Sequence, residues 1–98
     1  MSTTTDTPTV IIHIPTPLRA YTNDQATTPV SGATAGEALR ALVARYPELE
    51  TNLYTDDGSL RQFVNIYVGD EDIRHLDEED TPLSEGDELS IVPSIAGG

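Results

Sequence analysis

Thr34-Ala35-Gly36-Glu37-Ala38-Leu39-Arg40-Ala41-Leu42-Val43-Ala44-Arg45-Tyr46-Pro47 is the stretch on which the fold turns. Apolar residues recur at Ala35, Ala38, Leu39, Leu42, Val43 and Tyr46, the spacing of one stripe along an α-helix. Thr34 stands as N-cap, and Glu37, three positions on, is placed to reach back in a capping box. Glu37, Arg40, Ala44 and Arg45 fall on the outward side. Pro47 disfavours helical backbone at Tyr46 and ends the element. Such a helix has one apolar face and needs one apolar surface to cover.

The flanking segments supply that surface. Val10-Ile11-Ile12-His13-Ile14 is a β-branched run stopped by Pro15 and Pro17, a strand with Val10, Ile12 and Ile14 on one face. Residues 15–24 read as a loop and 25–31 as a weak strand. Pro29 donates no ladder hydrogen bond, which assigns that strand to a sheet edge. After the helix, 48–62 reads as a connection with turn chemistry at Asp56-Asp57-Gly58, and Leu49 and Leu53 are placed to tuck under the sheet. Phe63-Val64-Asn65-Ile66-Tyr67-Val68 is the second strong strand, with Val64, Ile66 and Val68 inward. Gly69-Asp70 turns the chain, Ile73 to Leu76 reads as a short edge strand, and Asp77 to Asp80 as a solvated acidic loop. Ser84 to Asp87 is a turn, and Glu88 to Val92 is the last strand, closed by Pro93.

One helix returning the chain lets the first and last strands pair in parallel at the centre of a mixed sheet. The expected fold is therefore α+β: a β-grasp, with four or five strands and one main helix packed on one face. Three segments follow: a Thr-rich disordered leader at 1–9, the β-grasp domain at 10–93, and a flexible di-glycine tail at 94–98.

Composition narrows the function. The 98 residues carry 17 acidic against 5 basic side chains, a formal charge of −12. Every basic residue is arginine. That balance excludes nucleic acid and an anionic membrane surface as partners, because both are bound by clustered cations. There is no apolar run of about 18 residues to span a bilayer and no basic, apolar secretory leader, so a cytoplasmic protein is expected. The absence of cysteine removes disulfides, thiolate zinc sites and thiol nucleophiles. The acidic bias also fits a high-salt habitat.

Side chains offer little chemistry. His13 and His75 stand in different segments with no acid or nucleophile at a motif spacing, and His13 alternates away from the core. Asp70-Glu71-Asp72 lacks the ligand spacing of a calcium loop, and Gly32, Gly36 and Gly58 form no phosphate-binding fingerprint. No metal site is expected, and no catalytic residue of the chain's own.

The expected working part is the tail Ile95-Ala96-Gly97-Gly98. From Pro93, five extended residues reach roughly 17 Å, enough to enter another protein's cleft. A carboxylate is a poor electrophile. Joined to AMP it becomes an acyl group with a good leaving group, and a sulfur donor can then leave a thiocarboxylate, itself a sulfur nucleophile. A narrow channel would exclude side chains, and glycine also admits backbone angles that other residues avoid.

The ending Ile91-Val92-Pro93-Ser94-Ile95-Ala96-Gly97-Gly98, together with this fold, resembles the ubiquitin-like sulfur-carrier proteins, which include the small subunit of molybdopterin synthase and the thiamine-pathway sulfur carrier. Phe63 through Arg74 and Ile14 through Arg19 look most like the actinobacterial carrier of cysteine biosynthesis, although Ser94 stands where alanine is more usual. The resemblance implies a carrier, not an enzyme. An E1-like adenylating enzyme would use ATP and magnesium to activate Gly98. A pyridoxal-phosphate enzyme like cysteine synthase would accept the sulfur, and a metalloprotease would release cysteine. The alternatives are the molybdopterin-synthase small subunit acting with its large subunit, a protein modifier attached through Gly98 to lysines, and a non-enzymatic β-grasp binding module. Leu18, Arg19, Phe63, Tyr67 and Val92 are the expected partner interface.

Overall fold

The computed structural model describes residues 7–61 and 64–93. Five strands form one sheet: β1 (Thr9–His13), β2 (Thr27–Ser31), β3 (Val64–Val68), β4 (Glu71–Asp72) and β5 (Glu88–Pro93). Their order is β2-β1-β5-β3-β4. β1 and β5 pair in parallel at the centre, and the other pairs are antiparallel. Pro29 lies on the edge strand β2, as its missing N–H requires.

Helix α1 (Ala35–Arg45) covers one face of the sheet. Ala35, Ala38, Leu39 and Leu42 are fully buried against Val10, Ile12 and Leu89, while Val43 and Tyr46 pack at the margin. The Thr34 hydroxyl accepts from the Glu37 amide at 3.2 Å. The Glu37 carboxylate reaches back to the amide of Ala33 at 3.0 Å, one residue before the cap. The N-terminus of the helix is also clamped from the far end of the chain. The Ala35 amide donates to Thr81 O at 2.9 Å, and the Leu83 amide donates to Ala33 O at 2.9 Å.

Four segments depart from the sequence reading. Residues expected as a loop after β1 form a 3₁₀ helix, Thr16–Tyr21, because Pro15 and Pro17 preset its first turn. The 48–62 connection holds a 3₁₀ turn, Pro47–Leu49, and a short helix α2, Glu50–Leu53, which bury Leu49 and Leu53 completely. The edge strand lies at Glu71–Asp72, ahead of the predicted Ile73 to Leu76. The Asp72 carboxylate caps the Arg74 amide at 2.8 Å and turns Ile73–His75 into a 3₁₀ helix, sinking Ile73 into the core. The acidic block is more than a solvated loop. Glu78–Asp80 is a 3₁₀ turn pressed on α1, so close that a Cβ at Gly36 would meet Glu79 Cβ at 2.9 Å. Among the described residues, no helix is long and apolar enough to cross a membrane.

Candidate functional site: the open sheet face and the exit of β5

Strand β5 decides where the site lies. Alternation along Glu88-Leu89-Ser90-Ile91-Val92-Pro93 sends Leu89 and Ile91 into the core and leaves Glu88, Ser90 and Val92 on the face that α1 does not cover. The neighbouring strands add to that face in register. Ser90 stands opposite His13 on one side and Tyr67 on the other, and Val92 stands opposite Asn65. Tyr67 and Val92 are therefore diagonal neighbours. Val92 is 42% exposed, one of the few large apolar side chains so open to solvent, and Tyr67 is half-buried.

The two sides of β5 also fix what surrounds its end. β1 runs parallel to it, so Ile14 and the 3₁₀ helix after it lie at the end where β5 finishes. Arg19 is half-buried there, its Nε donating to Ile14 O at 3.0 Å. On the other side Val64 pairs with Pro93. Arg74 donates through Nη2 to Val64 O at 3.2 Å and through Nη1 to Asn65 Oδ1 at 2.7 Å. Two of the chain's five arginines thus bracket the exit of β5. The opposite end of the sheet is acidic. Asp70 and Glu71 follow β3 at the level where Val68 pairs with Leu89, and Glu88 opens β5. There His13 Nε2 lies 2.7 Å from Glu88 Oε1. Asp24 follows close on Arg19, its amide donating to Arg19 O at 2.8 Å, and Glu78 and Glu79 line a cavity with Arg74, so carboxylates lie near both ends.

Of the expected interface residues, Tyr67 and Val92 share the open face and Arg19 stands beside the exit. Leu18 does not present itself for docking. The 3₁₀ helix turns it into the core, where it is 9% exposed. Phe63, Ile95, Ala96, Gly97 and Gly98 lie outside the described residues. Sequence reasoning missed Arg74 and the His13–Glu88 contact. Neither has a local spacing signal: His13 and Glu88 meet through the register of β1 and β5, and Arg74 reaches Val64 and Asn65 from the 3₁₀ helix after β4. Among the described residues, no three His, Asp or Glu side chains converge to hold a metal ion. What the face offers is a mixed apolar and charged surface at the end of β5.

A mixed sheet with parallel first and last strands at its centre and one helix across one face makes this a ubiquitin-like protein. The chain belongs to the ThiS family, the ubiquitin-like sulfur-carrier group, which it matches over residues 12–98. It is 40% identical over 91 residues to the sulfur carrier protein CysO of Mycobacterium tuberculosis, covering 91% of this chain and 98% of that one. Among solved structures it is similar to a chain of the Amycolatopsis orientalis BexX/CysO complex. That likeness has a TM-score of 0.82 and 34% identity, covering 91% of this chain and 99% of that one. It is also similar to small archaeal modifier protein 1 of Methanosarcina acetivorans, with a TM-score of 0.84 and 26% identity over 96% of this chain and 100% of that one.

Proposed function

We propose that the chain carries sulfur as a thiocarboxylate on the carboxyl of Gly98 and delivers it for cysteine biosynthesis. An E1-like partner transfers AMP from ATP, with magnesium, to the Gly98 carboxylate and releases pyrophosphate. A sulfur donor then displaces AMP. The thiocarboxylate passes to a cysteine-synthase-like enzyme, whose pyridoxal phosphate supplies the acceptor chemistry, and a metalloprotease frees the cysteine and restores the di-glycine. This chain supplies the acyl group and the grip: Tyr67 and Val92 on the open face, with Arg19 beside the exit. The carrier acts as a substrate of its partners, and the cytoplasm is where it would meet them.

The observation that supports this reading is the likeness to the sulfur carrier protein CysO along nearly its whole length, with Gly97-Gly98 inside the family match. Intact-mass spectrometry of protein from its own cells tests it. A fraction with one oxygen exchanged for sulfur is expected. Protein that only ever carries a free carboxylate, and that consumes no ATP with a matched E1-like enzyme, would overturn it.

The likeness to an archaeal modifier favours a second reading, attachment of Gly98 to lysines of other proteins. Isopeptide adducts bearing the Gly97-Gly98 remnant, with no sulfur-bearing form, would select it.

A further inference from the structure

A cavity of about 560 Å³ opens beside β3, on the side of the sheet that α1 covers. That size falls within the roughly 300–1,000 Å³ of small-molecule sites, which combine apolar walls with a few polar groups. Its floor is Leu60, Val64, Ile66 and Ile73, the last three buried members of the core. Its lip carries Glu78 and Glu79 of the acidic turn, together with Arg74. The acidic lip is held in place. Glu78 has φ +54°, a left-handed backbone uncommon for a glutamate. Thr81, itself buried, enforces it: the Thr81 amide at 3.1 Å and hydroxyl at 2.7 Å both donate to Glu78 O, and the same hydroxyl accepts from the Asp77 amide at 3.0 Å. Glu79 is wedged against Gly36 of α1. Backbone held in such a conformation persists where its surroundings over-determine it, and it clusters at ligand clamps.

The arginines on the surrounding elements are engaged elsewhere. Arg74 Nη1 donates to Asn65 Oδ1, and Asn65 alternates to the opposite face of β3 from Val64 and Ile66, so the guanidinium is drawn toward the open face. Arg61, next to Leu60, donates to Thr51 O at 2.8 Å, and Arg40 donates to Gly58 O at 3.0 Å. Asp77 and Asp80 flank Glu78 and Glu79 in the chain. The mouth is therefore acidic over an apolar floor. We propose that this cavity binds a small organic cation, an ammonium or guanidinium head on an apolar body. The head lies at Glu78 and Glu79, and the body lies against Leu60, Val64, Ile66 and Ile73. An anion meets a lip of like charge, a neutral apolar molecule gains the floor alone, and a polyamine leaves its second charge against apolar walls. The site is on the face opposite Tyr67 and Val92 and does not depend on the thiocarboxylate reading.

Hexylammonium is the probe, titrated into the full chain with isotopically labelled methyl groups and followed by NMR. Hexanol and hexanoate, of equal chain length, supply the neutral and anionic arms. Saturable shifts are expected at the methyls of Leu60, Val64, Ile66 and Ile73, with those of Val92 unmoved. Hexanol should bind about threefold or more weakly than the amine, the scale of an exposed ion pair, and hexanoate more weakly still. Glu78→Asn removes a charge and places a residue at ease with positive φ, and Glu79→Gln keeps the shape packed on Gly36. Circular dichroism first establishes that both variants are folded. Each should weaken hexylammonium and leave hexanol unchanged, a split that a merely structural role would not produce. The proposal is overturned by an amine that shifts none of these methyls up to its solubility limit, by hexanol or hexanoate binding as tightly as the amine, or by wild-type affinity when both substitutions are combined. Shifts of the same methyls that grow with protein concentration alone would assign the cavity to a second copy of the chain and overturn it as well.

Discussion

Gly36 lies against Glu79 so closely that the helix has no room for a side chain at that position. A Cβ there would stand 2.9 Å from Glu79 Cβ and 3.0 Å from Glu79 O. Gly32, at the entry to the helix, is tighter still, with a Cβ meeting Ala38 N at 2.5 Å and Ala38 Cα at 2.7 Å. Alanine inside a helix ordinarily gains about 1 kcal/mol over glycine. Here overpacking, at about 1–3 kcal/mol, is expected to win at Gly36. Gly32→Ala is expected to cost more than Gly36→Ala, because the obstacle is helix backbone. Urea denaturation of both variants checks the order.

Truncating the core gives a second expectation. Leu39 is fully buried on α1 and Ile66 is 1% exposed on β3, facing each other's layer. Leu39→Ala and Ile66→Ala should each lose about 2–5 kcal/mol. Thr34→Ala removes only the cap to Glu37 N and should lose about 1 kcal/mol. Thermal melts of the three variants would separate cavity from cap.

Tyr54 carries the opposite sign. Its side chain is 2% exposed, Arg40 sits 4.2 Å above its ring, and among the described residues its hydroxyl has no hydrogen-bond partner. An unpaired buried hydroxyl is a cost, so Tyr54→Phe should be neutral or stabilising by about 1 kcal/mol. Burial raises the phenol above its usual range, with Arg40 opposing it. The raised folded value means that the contribution is fully present below the unfolded phenol range. It is lost as pH climbs through the folded value. The wild-type protein should therefore weaken on the alkaline side more steeply than Tyr54→Phe, as melting curves across that range would show.

Function and stability should separate at the exit. Deleting Gly98, or adding a residue after it, should abolish ATP consumption with a matched E1-like enzyme. Val92→Asp, on a side chain 42% exposed, should weaken partner binding. The melting temperature should stay nearly unchanged in all three. A Val92→Asp variant that melts far lower would place that residue in the core instead.

A chain with a formal charge of −12 repels itself, and salt screens exposed charges beyond a Debye length of about 8–10 Å. The melting temperature is expected to rise across a sodium chloride series. A flat or falling series would argue against self-repulsion as a controlling term.

The α1 stripe and the alternation in β1 and β3 were legible because each is a local pattern tied to one buried face. Pro29 even gave the edge strand. Leu18 was misread because a 3₁₀ helix has no strong periodicity, so its inward turn leaves no mark on the sequence. Ile73 was read as strand for the same kind of reason: its apolar character showed, but the cap from Asp72 to the Arg74 amide that turns the chain did not. The acidic block looked solvated because charge dominates its composition, while the contact of Glu79 with Gly36 depends on a segment more than forty positions away. At the site, the residues of the open face could be named from alternation alone. The parallel pairing of β5 with β1 follows from the β-grasp reading, whereas the pairing of β5 with β3 and the arrival of Arg19 and Arg74 at the same end have no local signature.

The central place of β5 has a mechanical consequence. A partner that draws the chain beyond Pro93 into itself pulls along the axis of a strand bonded on both sides, to β1 and to β3. The load then falls on both ladders at once, in shear, rather than opening one bond after another as it would from an edge. A sheet so arranged would resist being unravelled by a pull on that strand.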